Sequence, residues 1–150
     1  QRCVSDAVIP DPEAGEEVWK RDPQLYLQAT TRPGAKIPHA WLIAHQGRRV
    51  STLDLVGKGR TTVVTGIAGQ AWAQAVKALD LPYLDVLVIG EPGALDAYSD
   101  WHAVREIEEA GALLVRPDGV VAWRSMRGAK EVDTARKQLA EVIGSVMALP

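Results

Sequence analysis

Few side chains in these 150 residues could act as nucleophiles, metal ligands or redox groups. Cys3 is the one cysteine, and His39, His45 and His102 are the three histidines. A single cysteine builds neither a disulfide framework nor a thiol-based zinc cluster. The histidines are too far apart for two to meet at i, i+3 or i, i+4 on a helix, so no HExxH-like metal face exists. His45 and His102 are expected to face solvent. His39 follows Pro38 at the start of a strand and is expected to pack with its ring nitrogens bonded to backbone. Glu16-Glu17 and Glu108-Glu109 are adjacent pairs; on a helix they diverge and are expected to be solvated. Asp54 is expected as an exposed residue on a half-apolar strand. Two glycine-rich stretches have phosphate-loop character. Gly57-Lys58-Gly59 lacks the first glycine of GxxxxGK[ST] and precedes a strand, so it reads as a tight hairpin turn. Gly66-x-x-Gly69 lies between strand and helix, where backbone amides can hold an anion. It lacks GxGxxG and reads as a plain strand-to-helix turn.

The elements that would position these groups begin near residue 39. Residues 1–38 lack sustained periodicity and carry Pro10, Pro12, Pro23, Pro33 and Pro38. They read as an irregular arm, with one short helix over Glu13–Lys20, leading away from an upstream domain. The domain then occupies 39–150. Ala40–Ala44 and Val50–Leu55 read as strands joined by a hairpin loop at His45–Arg49. Thr61–Thr65 is β-branched throughout, a third strand. Trp72, Ala75, Val76 and Leu79 mark one face of a helix that Pro82 closes. Asp85–Gly90 is an apolar run typical of a parallel strand covered on both faces. A helix capped by Ser99 or Asp100 carries Trp101, Val104 and Ile107 as far as Gly111. Ala112–Arg116 and Val120–Arg124 flank Pro117-Asp118-Gly119, a hairpin turn. Val132, Ala135, Leu139, Val142, Ile143 and Val146 form the buried face of a last helix. Trp41, Trp72, Trp101 and Trp123 are expected in the core. Trp19 lies in the charged arm, where it either docks on another surface or buries against this domain.

The order β-α-β-α-β-β-α is an α/β thioredoxin-like layout, with two extra strands and the arm at its N-terminal end. A small doubly wound sheet is the alternative, which the closing hairpin argues against. In a thiol redox protein of this layout a low-pKa thiolate sits at the start of the first core helix. Here that place holds Gly66–Gln70 without cysteine. Ala110-Gly111-Ala112 stands where such a protein has a proline before the third core strand, so thiol redox chemistry is not expected. A net charge of −2 shows no basic face for nucleic acid. No apolar run of membrane-spanning length occurs, and no signal peptide is visible. Together with the scarcity of cysteine, this makes a cytoplasmic location the expectation.

Three strings then carry a resemblance. Thr31-Arg32-Pro33-Gly34-Ala35-Lys36-Ile37-Pro38-His39-Ala40-Trp41-Leu42 resembles the RPGxRxPHxWL segment of the class A flavoprotein aromatic hydroxylases, of the phenol and chlorophenol hydroxylase type. Ser51-Thr52-Leu53-Asp54-Leu55-Val56-Gly57 is similar to their STLDLxG stretch. Leu114-Val115-Arg116-Pro117-Asp118-Gly119-Val120-Val121-Ala122-Trp123-Arg124 is similar to their LVRPDGxVAWR hairpin, and Ser5–Asp11 to the stretch leaving their substrate domain. The resemblance implies a thioredoxin-like C-terminal domain that lacks the redox cysteines. Its parent would be an FAD- and NAD(P)H-dependent monooxygenase that uses dioxygen to hydroxylate phenolic rings. Neither GxGxxG nor the flavin-binding GD-[AS]-AH motif occurs here. No catalytic, cofactor-binding or metal residue therefore transfers, and this fragment alone is expected to be inactive and to hold no cofactor. Arg32, Pro33, Gly34, Pro38, His39, Trp41, Asp54, Arg116, Pro117, Asp118, Gly119, Trp123 and Arg124 transfer as structural motif positions. The partners implied are the upstream FAD-binding and substrate domains of the same chain, with subunit contacts of a homo-oligomer. The alternative is a self-contained thioredoxin-like binding or oligomerisation module.

Overall fold

A computed structural model describes residues 29–148. The expectations for Cys3, Glu16-Glu17, Trp19 and a helix at Glu13–Lys20 lie outside the described residues.

The core is a four-stranded mixed sheet of β3 (Thr61–Gly66), β4 (Leu84–Ile89), β5 (Ala112–Val115) and β6 (Val121–Ser125), in the order β4-β3-β5-β6. β3 runs parallel to β4 and antiparallel to β5, and β5 pairs antiparallel with β6. β-Branched residues fill β3, whose six residues are all buried. Its Val63 and Val64 point to opposite faces, as the two-residue period requires. On one face pack α2 (Gln70–Leu79) and α4 (Val132–Ala148), through Trp72, Val76, Leu139 and Ile143. The other face carries a separate hairpin of β1 (Trp41–Ile43) and β2 (Arg49–Ser51), with α1 (Thr52–Leu55) and α3 (Asp100–Val104). The strand order and the parallel-then-antiparallel pairing are those of the thioredoxin-type layout.

The closing hairpin forms as its sequence dictates. The Gly119 amide donates to the Arg116 carbonyl (2.9 Å), and the Arg116 amide to the Val120 carbonyl (2.8 Å). Gly119 sits at φ +88, where a side chain would be strained. The Asp118 carboxylate accepts from the Val120 amide and pairs with Arg116.

Four elements differ from expectation in whole or in part. Val50–Leu55 is not one strand, because β2 ends at Ser51 and α1 begins. The reason is a capping box: the Leu53 amide donates to Ser51 Oγ (3.1 Å), and the Ser51 amide to the Asp54 carboxylate (2.9 Å). Asp54 is exposed, but on a helix. The Gly57-Lys58-Gly59 turn closes no hairpin, since the strands before and after it lie in different sheets. β4 is covered on both faces as expected, with Leu87 and Ile89 on one core cluster and Leu84 and Val86 on the other, but it lies at the sheet edge, so Asp85 is exposed and Val86 and Leu87 are only half-buried. α3 stops at Val104, far short of Gly111, because Glu106 adopts φ +63 to reach partners elsewhere in the fold. Ser99 stands at the N-cap of α3, as expected, but its side chain makes no capping hydrogen bond. The Asp96 carboxylate accepts from the amides of Trp101 and His102.

Residues 34–37 lie along the outer edge of β6. The Gly34 amide donates to the Val121 carbonyl and the Val121 amide to the Ala35 carbonyl (2.8 Å each), while the Ile37 amide donates to the Gly119 carbonyl (2.9 Å). They cover an edge that would otherwise invite intermolecular pairing.

Two substitutions test this framework. Ser51→Ala removes the α1 cap and should cost about 1 kcal/mol, read as a lower urea midpoint. Gly69→Ala should cost about 1–3 kcal/mol. A Cβ there collides with Thr65 Oγ1, which cannot swing away without breaking its 2.6 Å hydrogen bond to the Gly111 carbonyl. An unchanged melting temperature for Gly69→Ala would contradict the packing.

Candidate functional site

The position where a redox relative of this layout would hold its thiolate is at Gly66–Gly69. Gly66 ends β3 and a single 3-10 turn (Ile67–Gly69) leads into α2. Ile67 is exposed, and the Gly66 amide donates to the Glu109 carbonyl (3.1 Å). Opposite, Gly111 is packed so that a Cβ would lie 2.6 Å from the Ser125 carbonyl oxygen. A cleft of about 290 Å³ opens there at the C-terminal ends of β3 and β4, lined in part by Ile89, Trp101, Arg105, Asp96, Glu108 and Glu109. Glu108 and Glu109 are exposed, as expected, but in a loop and not on a helix. Among the described residues no three His, Cys, Asp or Glu side chains converge on a metal-sized site.

A second cluster is a polar clamp where the chain enters the described fold. Glu106 Oε1 accepts from Thr30 Oγ1 (2.7 Å), the Thr31 amide (2.8 Å) and Arg124 Nη1 (3.1 Å). Thr31 Oγ1 donates to the Arg105 carbonyl (2.6 Å) and accepts from Arg124 Nη1 (3.1 Å). Arg124 is buried on β6, its side chain 4% exposed against 38% for Glu106. Burial alone would raise the Glu106 carboxyl. The hydrogen bonds from Thr30 and Thr31 and the charge of Arg124 outweigh burial, and hold it below its ordinary value. The clamp ties three parts of the chain together: the lead-in segment, the loop after α3, and β6.

A third cluster surrounds β1. His39 is exposed, not packed, and its Nδ1 lies 2.6 Å from the Ser51 hydroxyl, not on backbone. Its ring stands edge-on to Trp41, with centroids 4.6 Å apart. Trp41 is only half-buried, against the core position expected of it, because β1 belongs to the outer hairpin and Leu42 takes the inward place. The Arg49 guanidinium lies 4.3 Å over the Trp41 ring. The other three described tryptophans, Trp72, Trp101 and Trp123, are buried, Trp72 and Trp123 edge to face at 5.6 Å. His45 and His102 are exposed as expected.

The motif positions thus fall into separate places. Arg32, Pro33 and Gly34 form the turn leading to the β6 edge, with Gly34 at φ +97. The Pro38 carbonyl accepts from Thr52 Oγ1 (2.7 Å), locking the lead-in to α1. His39, Trp41 and Asp54 lie around the outer hairpin. Arg116, Pro117, Asp118 and Gly119 make the β5–β6 turn, with Trp123 and Arg124 on β6. Sequence reasoning missed Thr30, Thr31 and Glu106 as a unit. Glu106 lies 75 residues from Thr31, and no local pattern joins them.

A sequence profile described as "Aromatic-ring hydroxylase, C-terminal" matches residues 30–147. The chain belongs to this family of hydroxylase C-terminal domains. It is 50% identical over 134 residues to the 2,4-dichlorophenol 6-monooxygenase of Delftia acidovorans, covering 85% of this chain and 22% of that protein. It is 40% identical to the phenol 2-monooxygenase of Pseudomonas sp. (strain EST1001), covering 87% of this chain and 22% of that protein. The crystal structure of the flavin-dependent monooxygenase PieE with FAD and substrate superposes with a TM-score of 0.83 at 45% identity. That alignment takes in 100% of this chain and 25% of PieE. The chain therefore spans about a quarter or less of these relatives. The glycine-flanked start of α2 faces a cleft that carries the carboxylates of Asp96, Glu108 and Glu109 together with Arg105 and His102, a balance of charge that does not favour a flavin's pyrophosphate.

Proposed function

We propose that this chain is the non-catalytic C-terminal accessory domain of an FAD- and NAD(P)H-dependent monooxygenase that hydroxylates phenolic rings. Its role in that enzyme is to stabilise the assembly and to supply contacts to the upstream FAD-binding and substrate domains, and to a second subunit. The observation that carries the reading is the alignment of the whole chain with a quarter of PieE, a flavin-dependent monooxygenase crystallised with FAD and substrate. Half identity to a dichlorophenol monooxygenase supports the phenolic class of substrate. The family-motif residues act here as turns, caps and packing, so they hold the domain's shape and do not touch substrate. Residues 1–38 lead in from the upstream part and residues 39–150 form the body of the domain. The parent enzyme works in the cytoplasm. No described helix is long and apolar enough to cross a membrane.

The test is the full-length protein. It should be yellow, release FAD on denaturation and oxidise NAD(P)H faster when a phenol is added. Removing this domain should lower the melting temperature or break the oligomer. A colourless full-length protein without phenol-stimulated oxidation would overturn the reading in favour of a self-contained module.

A further inference from the structure

The cleft at the C-terminal ends of β3 and β4 has an apolar floor and a polar rim. Ile89, Trp101 and Ile107 are buried in its wall, while His102 and Glu109 are exposed at its edge. Several charges of the rim are already engaged within the domain. The Asp96 carboxylate accepts from the amides of Trp101 and His102, Glu108 pairs with Arg127 (3.8 Å), and Arg105 Nε donates to the Ile107 carbonyl (2.8 Å). Two large apolar side chains nevertheless stand in water beside the cleft. Ile67 lines it, is 49% exposed and lies across Gly90, where a Cβ would sit 2.7 Å from its Cδ1. Tyr98 is 54% exposed, between Asp96 and Ser99, which both line the cleft. An apolar centre inside a polar rim is the anatomy of a protein contact. Apolar side chains that cluster in water mark such a contact.

We propose that this cleft is where the domain docks on the upstream part of its own chain, which sets an apolar side chain against Ile67 and Tyr98. The inference rests on the reading of this chain as the C-terminal part of a longer hydroxylase. The point of entry supports that occupant. Thr30 and Thr31, where the chain enters the described fold, are bonded to Glu106 and to the Arg105 carbonyl. Arg105, Ile107 and Glu108, on either side of Glu106, line the cleft. The incoming chain is therefore gripped at the cleft's own wall. Size favours the same occupant. Two exposed apolar residues around a cleft of about 290 Å³ fall well short of the roughly 1,200 Å² that a stable contact between free copies buries. A partner on the same chain needs less, because attachment replaces the cost of association with a high effective concentration.

The test places a photoreactive benzophenone side chain at one position of the full-length protein, irradiates it and maps the crosslinks by peptide mass. From Ile67→benzoylphenylalanine the crosslinks should fall on residues N-terminal to Gln1, in a product of single-chain mass. The same substitution at Glu141, exposed on α4 across the sheet, should give none. Melting temperature and visible spectrum check that each variant is folded. Should the Ile67 variant fail to fold, Tyr98→benzoylphenylalanine decides by the same criterion. In an independent measurement, Ile67→Asp should speed hydrogen exchange over residues 96–105 about tenfold as the contact opens. Crosslinks to residues 1–28, a product of twice the chain mass, or equal yields at Ile67 and Glu141 overturn the proposal. So does unchanged exchange in Ile67→Asp. A yellow protein with any of these results loses only the docking surface, whereas a colourless one loses the hydroxylase reading and the docking surface with it.

Discussion

Trp72→Ala should be the most damaging single change in the described fold, costing about 4–5 kcal/mol. Trp72 is fully buried between the sheet and α4, and lies edge to face with Trp123. Its indole Nε1 donates to the Ala110 carbonyl (3.0 Å), just ahead of β5. The substitution therefore opens a large cavity, removes a ring pair and leaves a carbonyl without its donor. A protein of this size loses about 3 °C per kcal/mol, so the melting temperature should fall by about 12–15 °C. That loss is comparable with the whole stability of a marginal domain. Trp72→Phe separates the contributions. It keeps a ring beside Trp123 and loses the hydrogen bond and part of the volume, so it should cost about 2 kcal/mol. Equal losses for the two variants would show that the ring packing contributes nothing.

Arg124→Ala should cost about 2–3 kcal/mol. Removing one partner of a buried ion pair usually costs more, but Glu106 is 38% exposed and water offsets part of the loss. Glu106→Gln should cost a similar amount, because Arg124 then loses the Glu106 charge while remaining buried on β6. The two changes share one interaction, so the double variant E106Q/R124M should cost less than the sum of the singles. The pH dependence has a definite sign. The Glu106 carboxyl is held below its ordinary value of 4.5 in the fold. Its contribution is therefore complete above that value and is lost as the pH falls through the lower folded value. Urea midpoints of wild type and Glu106→Gln should differ most near neutral pH and converge as the pH falls through the lowered folded value. A gap that stays constant with pH would show that the carboxylate charge is not what the clamp uses.

Much of this fold was legible in the sequence, and the reasons are local. The β5–β6 hairpin follows from Pro117-Asp118-Gly119, whose backbone preferences suit one turn. α2 and α4 follow from helical spacing of apolar residues, and β3 from a β-branched run. The thioredoxin-type order followed once those elements stood in sequence. The absence of a thiol from the start of α2 was equally plain, because it needs only the identity of the residues between β3 and α2.

What tertiary structure decided was every feature that joins distant residues or sets which side of an element faces water. Ser51 and Asp54 cap a helix where alternation read a strand, since hydrogen bonds satisfied at a chain turn outweigh a weak period-two pattern over six residues. β4 lies at an edge and Trp41 on an outer hairpin, placements that depend on strand order and not on composition. Glu106 leaves the helix its neighbours favour because Thr30, Thr31 and Arg124 together offer its carboxylate more than one further turn of α3 would. The sequence by itself determined most of the elements, their order and the family. Only the assembled fold fixed the clamp, because it depends on side chains tens of residues apart, and burial and charge act there through space and not along the chain.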